Sequence, residues 1–254
     1  MKKYKIVIVF ILFFLLFVSV RKIEAYGFGV KKNNENKQPD IGIYKGIIES
    51  AGGIYVGDKN SQNIYLTFDC GYENGYTGKI LDVLKEKGVT ATFFLTGHYV
   101  DSASDLVLRM KNEGHTLANH SNLHKNITTI SNEEIKKEIL GLEQKYYNLT
   151  GSYLTKFFRP PAGNFDKESL EVVQDLGYTS LFWSVSYKDW NHQNDVSYAV
   201  KEVCDNIHNG AIILLHAVSS ANADALGMII DNLRNKGYII TSTEELLTNN
   251  SNIF

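Results

Sequence analysis

Cysteine is scarce in this chain, and neither charge sign dominates. The 254 residues include only two cysteines, Cys70 and Cys204, too few for a disulfide scaffold or a cysteine-rich zinc module. The 26 lysines and arginines nearly balance the 28 aspartates and glutamates, so we expect no basic surface for nucleic acid. The 44% hydrophobic content suffices for a full core, and the length fits one barrel-sized domain with an appendage.

Long apolar runs are also rare, and the exception lies at the start of the chain. Residues 6–20 are apolar and are flanked by Lys2, Lys3 and Arg21. This run is shorter than the roughly 20 residues that span a bilayer comfortably. We predict that residues 1–26 are an export signal, either cleaved or kept as a membrane anchor, and that the protein works outside the cytoplasm. Residues 27–60 are predicted to form a linker and N-terminal arm, with a flexible spacer over 27–40 and irregular or hairpin structure over 41–60.

From residue 64 onward, strand-like and helix-like segments alternate. Apolar, β-prone segments predict strands over 64–68, 90–95, 115–119, 156–158, 178–183, 211–215 and 238–241. Apolar residues at helical spacing predict helices between several of them, and Ser131 with Glu134 predicts a capping box. A glycine lies between each of several predicted helices and the next strand, where a helix commonly ends in a left-handed (αL) residue. These glycines are Gly88, Gly114, Gly177, Gly210 and Gly237. About seven parallel strands favour an α/β barrel over an open sheet.

Ionisable residues follow several of these strands. They are Asp69, His120 with His124, Arg159, Asp189 and His216. A parallel barrel gathers the carboxyl ends of its strands on one rim, so we expect these side chains to converge. Their chemistry suits metal-assisted hydrolysis, in which two imidazoles hold a divalent ion, a carboxylate takes a proton from water and another histidine protonates the leaving amine.

Five short motifs in this region resemble those of the NodB-type polysaccharide deacetylases, carbohydrate esterase family 4. They are T-F-D at 67–69, H-S-N-L-H at 120–124, R-P-P-A-G at 159–163, D-W at 189–190 and L-H at 215–216, in the family's order. The resemblance covers roughly residues 60–247. It implies a distorted (β/α)7 barrel with a short N-terminal arm, a catalytic domain over 61–250, and removal of N- or O-acetyl groups from a sugar polymer.

The resemblance also assigns roles to individual residues. It makes Asp69 the catalytic base, positioned by Arg159, and His216 the general acid, tuned by Asp189. His120 and His124 become metal ligands. The backbone N–H of Ala162, where the family usually has an aromatic residue, becomes the oxyanion donor. The residues expected to bind substrate are Tyr72, Ala162, Gly163, Trp190 and Leu215, with Leu215 lining the acetyl pocket.

One motif departs from the family pattern at Cys70. Members generally read T-F-D-D-G, and the second aspartate is the third metal ligand; here it is Cys70. The Cys70 thiolate could bind zinc directly, or it could contact the ligands without touching the ion, which would then be held by two histidines and water. Alternatively, Cys70 could be a small buried hydrophobe. We predict a ligand, and a divalent ion that is most simply zinc.

Two longer sequence motifs resemble one subfamily in particular. T-F-D-C-G-Y-E-N-G-Y-T at 67–77, with F-F-L-T-G-H-Y-V at 93–100, resembles bacterial de-N-acetylases that act on peptide-free muramic acid during spore-cortex synthesis, which yields muramic δ-lactam. The expected partners are peptidoglycan glycan strands, and the membrane if the N-terminal segment is uncleaved; we expect a monomer. A deacetylase of N-acetylglucosamine or chitooligosaccharides and a non-catalytic glycan-binding barrel are the alternatives.

Overall fold

Strands and helices alternate in the computed structural model, which describes residues 24–32, 35–191 and 194–250. The strands are β1 (Tyr26–Gly27), β2 (Asn63–Cys70), β3 (Thr92–Leu95), β4 (Thr116–Asn119), β5 (Thr155–Phe158), β6 (Asn164–Phe165), β7 (Thr179–Ser180), β8 (Val185–Ser186), β9 (Ile212–His216) and β10 (Ile239–Thr241). The α-helices are α1 (Tyr44–Ser50), α2 (Thr77–Lys87), α3 (Gly97–Ser102), α4 (Ser104–Asn112), α5 (Asn132–Thr150), α6 (Lys167–Asp175), α7 (Val196–Asp205), α8 (Ser220–Asn235) and α9 (Glu244–Asn250). Short 3-10 turns cover Pro161–Gly163 and Asp189–Asn191.

The long strand β2 lies in the middle of a parallel sheet. The order across the sheet is β7-β5-β4-β3-β2-β9-β8, and β10 pairs with the first residues of β2. The outermost strands, β7 and β8, are separated along the chain by residues 181–184 alone. The sheet must therefore curl round on itself, which confirms the expected distorted (β/α)7 barrel.

The predicted strand over 178–183 divides into two pieces. Its first part pairs with β5, where the Leu181 N–H donates to the Phe158 carbonyl. Its second part turns to the other end of the sheet, where the Ser184 N–H donates to the Ile212 carbonyl and β8 begins. The segment predicted as one strand thus contributes to both edges of the sheet, through β7 and the residues that lead into β8. Strand β8 was not predicted as a separate strand.

Side chains alternate between the barrel interior and the surrounding helices. On β2, Tyr65 belongs to the inner cluster with Phe94 and Leu214. Its neighbours in the chain pack outward against α2 and α8; they are Ile64, Leu66, Phe68 and Cys70. A strand has a side-chain period of two, so each residue's face follows from that of its neighbour.

The residues predicted to begin and end the helices are confirmed. Ser131 and Glu134 form a capping box at the start of α5, with both reciprocal hydrogen bonds present. The five glycines expected in left-handed conformation all have positive φ, from 60° at Gly88 to 88° at Gly237. These positions allow the chain to leave one element and enter the next without strain.

The N-terminal arm packs on the barrel, which differs from the flexible spacer predicted for 27–40. β1 pairs antiparallel with β6, and the Phe28 N–H donates to the Gly163 carbonyl at 2.8 Å. The Phe28 ring contacts Phe182 and Trp183. An aromatic side chain gains much by being buried, so this segment packs on the barrel and is not a solvated spacer. Over 41–60 the expected irregular structure is interrupted by α1.

The predicted export signal or anchor over 1–26 lies almost wholly outside the described residues. Within residues 24–32, 35–191 and 194–250, no helix is long and apolar enough to cross a membrane. The proposed domain boundaries stay predictions.

Candidate active site

The pairing of β2 with β9 sets Asp69 directly beside His216. The two residues are register partners at the carboxyl ends of neighbouring parallel strands. Both line a cleft of about 1070 Å³ at that end of the barrel, together with His120 and His124. The expected convergence of ionisable side chains on one rim is therefore observed.

Asp69 is buried, and one of its two carboxylate oxygens accepts a hydrogen bond. Its Oδ1 accepts a hydrogen bond from Arg159 at 2.8 Å, and its Oδ2 lies 3.5 Å from His120 Nε2. Burial alone would raise the pKa of Asp69, but the charge of the Arg159 guanidinium outweighs it and holds that pKa below its usual range. The carboxylate is thus ionised at neutral pH and able to accept a proton.

The Arg159 guanidinium is fully buried, and its position is fixed from several sides. It donates to Asp69 and Thr67 and to the carbonyls of Leu181 and Phe182, over distances of 2.8 to 3.2 Å. Its flat face lies 4.0 Å from the centre of the Phe94 ring. A planar fork with this many partners has one orientation, so the Asp69 carboxylate is held in one orientation as well.

A turn that contains two prolines follows Arg159. Pro160 and Pro161 lead into Ala162 and Gly163, which have φ of 53° and 66°. A Cβ on Gly163 would lie 2.8 Å from the Trp183 ring, so only glycine fits there. Ala162 and Gly163 both line the cleft beside Asp69.

His216 is paired with a fully buried carboxylate. Its Nδ1 donates to Asp189 Oδ1 at 2.8 Å, and its backbone N–H donates to Asp189 Oδ2 at 2.7 Å. Burial would lower the pKa of His216, but the hydrogen bond and charge of Asp189 outweigh it and the net pKa is raised. The imidazolium therefore persists to higher pH than in a free histidine, and Nε2 can donate a proton.

Two further residues hold this pair, and the sequence did not reveal them. The buried Asn222 amide donates to Asp189 Oδ2 at 2.6 Å and to the His216 carbonyl at 3.1 Å. The Tyr187 hydroxyl donates to the Asn222 side-chain oxygen. Asn222 lies in the first turn of α8, away from every strand end, and the only available clue was its position six residues after His216.

The His120 imidazole suits a divalent ion. Its Nδ1 donates to the Arg159 carbonyl at 2.8 Å, which leaves the Nε2 lone pair directed away from that bond. Burial lowers the pKa of His120 to about 4, so the ring is neutral at pH 7. The His124 ring lies 4.8 Å away between centroids, and both Ser121 and His124 have positive φ. The backbone is thus held in an unusual conformation that brings the two imidazoles together.

The structure does not bring the Cys70 thiol to these histidines. Asp69 faces the cleft, so Cys70, the next residue on β2, points to the opposite face, where it is fully buried in the helix-side core. Burial raises the pKa of the Cys70 thiol well above its usual range, which disfavours a thiolate. Within the described residues, no group of three or more histidine, cysteine, aspartate and glutamate side chains is arranged to hold a metal ion. The placement favours the buried-hydrophobe interpretation over the predicted ligand; His120 and His124 fit a divalent ion, and Cys70 does not.

The same alternation corrects the prediction for Leu215. His216 faces the cleft, so Leu215 points into the helix-side core and Leu214 lines the cleft in its place. The other predicted substrate residues, Tyr72 and Trp190, do line the cleft, with 53% and 51% of their surface exposed. Leu123 is a third exposed apolar side chain there, at 61%. Exposed rings at a cleft rim suit the apolar faces of sugars.

The comparisons with known proteins agree with this geometry. The polysaccharide deacetylase family model matches residues 56–181. The chain is 47% identical over 222 residues to an uncharacterised 30.6 kDa protein of Geobacillus stearothermophilus, covering 86% of this chain and 84% of that protein. It is 41% identical over 227 residues to the peptidoglycan-N-acetylmuramic acid deacetylase PdaA of Bacillus subtilis (strain 168), covering 88% of this chain and 86% of that one.

Solved structures give the same assignment. The structure of Bacillus subtilis PdaA, described as a family 4 carbohydrate esterase, superimposes with a TM-score of 0.86 at 40% identity and covers 89% of this chain and 98% of that one. The family resemblance of the five motifs is confirmed. The chain belongs to the polysaccharide deacetylase family, carbohydrate esterase family 4, and it is a hydrolase of that family.

Proposed function

We propose that this enzyme hydrolyses the N-acetyl group of N-acetylmuramic acid residues in peptidoglycan, releasing acetate and a free amine. The observation that carries the reaction is the side-by-side placement of Asp69 and His216, each with its own buried partner, Arg159 or Asp189. The similarity to a peptidoglycan-N-acetylmuramic acid deacetylase over 88% of the chain supports the substrate.

The proton transfers follow from the two pairs. Asp69 accepts a proton from the attacking water as the new C–O bond forms. The Ala162 backbone N–H stabilises the oxygen that becomes negative. His216 then gives its proton to the sugar nitrogen as the C–N bond breaks, so that amine and acetate leave. Each positioned proton transfer is typically worth about 10²–10⁴ in rate.

His120 and His124 would hold the divalent ion, most simply zinc. When bound, such an ion polarises the acetyl carbonyl and lowers the pKa of a water molecule toward about 7. The protein prepares for it by fixing the His120 tautomer through the Arg159 carbonyl. Within the described part of the protein, the side chains that would hold the ion are these two imidazoles.

The biological setting is the cell envelope. The enzyme acts outside the cytoplasm on glycan strands already stripped of peptide, and the deacetylated muramic acid goes on to δ-lactam in the spore cortex. The N-terminal apolar segment exports the chain or tethers it to the membrane.

Acetate release from amidase-treated glycan strands tests the proposal. Asp69→Asn and His216→Ala are each expected to reduce turnover at least about 10²-fold. Circular dichroism of both variants controls for loss of fold. Near-full turnover of either folded variant would contradict the assigned mechanism. Greater acetate release from N-acetylglucosamine oligomers than from peptide-free muramyl glycan would contradict the substrate.

A further inference from the structure

The lining of the cleft carries an uneven charge. Its one carboxylate among the described residues is Asp69, which is buried and ion-paired with Arg159. Two lysines line the same cleft, Lys32 and Lys188. Lys32 forms an ion pair with Glu202, so its charge is largely offset. The remaining charge, that of Lys188, has no carboxylate within ion-pair distance in the part of the chain that the structure describes.

Lys188 is exposed, yet its backbone is well anchored. Its neighbours Tyr187 and Asp189 are buried, and the Asp189 N–H donates to the Tyr187 carbonyl at 2.9 Å. The Lys188 carbonyl accepts from the Asn191 N–H at 3.1 Å. The lysine therefore projects from a fixed turn whose next residue holds His216. Lys188 and the proposed general acid His216 both line the cleft.

An ammonium for which the described residues supply no carboxylate suits an anionic substrate. A polymer of N-acetylglucosamine is neutral and offers no partner for it. N-acetylmuramic acid carries a lactyl group whose carboxylate is free only when the stem peptide has been removed. In a cleft that excludes part of the solvent, an ammonium and a carboxylate attract more strongly than on an open surface.

We infer that Lys188 binds the free lactyl carboxylate of the muramic acid residue in the cleft and so selects peptide-free muramyl glycan over neutral glycan. The inference rests on the proposed function. It adds a residue that determines specificity without touching the reacting acetyl group. The contact is the same before and during the reaction, so Lys188 acts on KM more than on kcat.

The test compares two charge states of one substrate. Peptide-free muramyl glycan is assayed with its lactyl carboxylate free and, in parallel, as the methyl ester, using wild type, Lys188→Gln, Lys188→Arg and Lys188→Glu. Lys85→Gln is the matched control, because it also removes one exposed lysine charge but lies on α2, outside the cleft lining. Kinetics are measured at low and at high salt.

We expect Lys188→Gln to raise KM for the free acid about three- to tenfold and to leave kcat within about twofold. Lys188→Arg keeps most of the affinity, and Lys188→Glu weakens it further. High salt shrinks the difference between wild type and Lys188→Gln. On the methyl ester, Lys188→Gln matches wild type, and Lys85→Gln matches wild type on both substrates.

Two results would overturn the inference, and they are distinguishable. In the first, wild type turns over the free acid, but Lys188→Gln has the same KM as wild type or has a raised KM for acid and ester alike. Lys188 then does not bind the carboxylate, and the proposed function still stands. If wild type releases no acetate from either muramyl substrate, the proposed function is itself wrong and the role of Lys188 falls with it.

Discussion

The two sides of the cleft are built differently. On the side of Asp69 and His216, buried polar groups are bonded to one another, and each reacting side chain has an ionic partner. On the side of His120 and His124, the backbone at Ser121 and His124 is left-handed, and no third histidine, cysteine, aspartate or glutamate of the described residues joins the two imidazoles to hold a metal ion. The proton-transfer side leaves little freedom for substitution, whereas the position of the family's third metal ligand is occupied by Cys70, which points away from the cleft.

This contrast predicts unequal sensitivity to mutation. A buried charge that loses its partner is costly, because nothing else solvates it. A residue that only fills space in the helix-side core, such as Cys70, should matter much less. Four substitutions, taken from the largest expected effect to the smallest, test whether the contrast holds.

Arg159→Met should be the most damaging, because it leaves the buried Asp69 carboxylate unpaired. We expect a loss of about 3–5 kcal/mol in the free energy of unfolding and no measurable deacetylation. Urea denaturation measures the first and acetate release the second. The double variant Asp69→Asn/Arg159→Met should recover part of the stability while staying inactive, since the orphaned charge is gone. Equal stabilities of the single and double variants would mean that the ion pair is not what Arg159 supports.

Asp189→Asn should reduce kcat about 10²-fold while the protein stays folded. The raised pKa of His216 owes to the hydrogen bond and charge of Asp189. The acid must be protonated to donate, so a raised pKa keeps it competent to higher pH, and activity falls as pH rises through that pKa. Removing the carboxylate lowers the pKa, and the alkaline limb of the kcat profile should move to lower pH. An alkaline limb that stays in place would show that Asp189 does not tune His216.

Much of this proton-transfer side could be predicted from the sequence. Asp69, Arg159, Asp189 and His216 each end or follow a strand, and parallel strands bring such positions together. Asn222 could not be found this way, because a single asparagine in the first turn of a helix resembles an ordinary helix start. Strand β8 was hidden for another reason: two residues are too few to show a periodicity.

The errors at Cys70 and Leu215 have a common origin. Both were assigned to the cleft by the family resemblance, Cys70 at the position of the third metal ligand and Leu215 as lining of the acetyl pocket. In this chain the side chains of β2 and β9 alternate up to the end of each strand, so Cys70 and Leu215 point away from the cleft. Asp69 and His216 face the cleft, and their neighbours Cys70 and Leu215 therefore face the surrounding helices. The packing of Phe28, within the stretch predicted as a flexible spacer, was missed because its contacts are made by residues distant in the chain, such as Trp183.

Asn222→Leu should have a smaller effect than Asp189→Asn, since His216 keeps its carboxylate. The change removes one donor from Asp189 and leaves the Tyr187 hydroxyl without its acceptor. We expect kcat to fall about tenfold, equivalent to about 1.4 kcal/mol in the barrier. The alkaline limb should change as well, because Asp189 is held less firmly. Tyr187→Phe is the matched control: it removes the outer hydroxyl alone, and should cost less than Asn222→Leu. A larger loss for Tyr187→Phe would place the important contact elsewhere.

Cys70→Ala should have the smallest effect and bears directly on the ligand side. The thiol lies in the helix-side core, so its removal leaves a small void and costs about 1 kcal/mol of stability, with activity within about twofold. The zinc content of protein purified in the presence of zinc should match wild type, whereas His120→Ala should lose the ion. Elemental analysis and thermal melting of the three proteins measure these outcomes. If Cys70→Ala melted like wild type but lost its zinc, the thiol would have to reach the ion, and the two sides of the cleft would be less different than their contacts indicate.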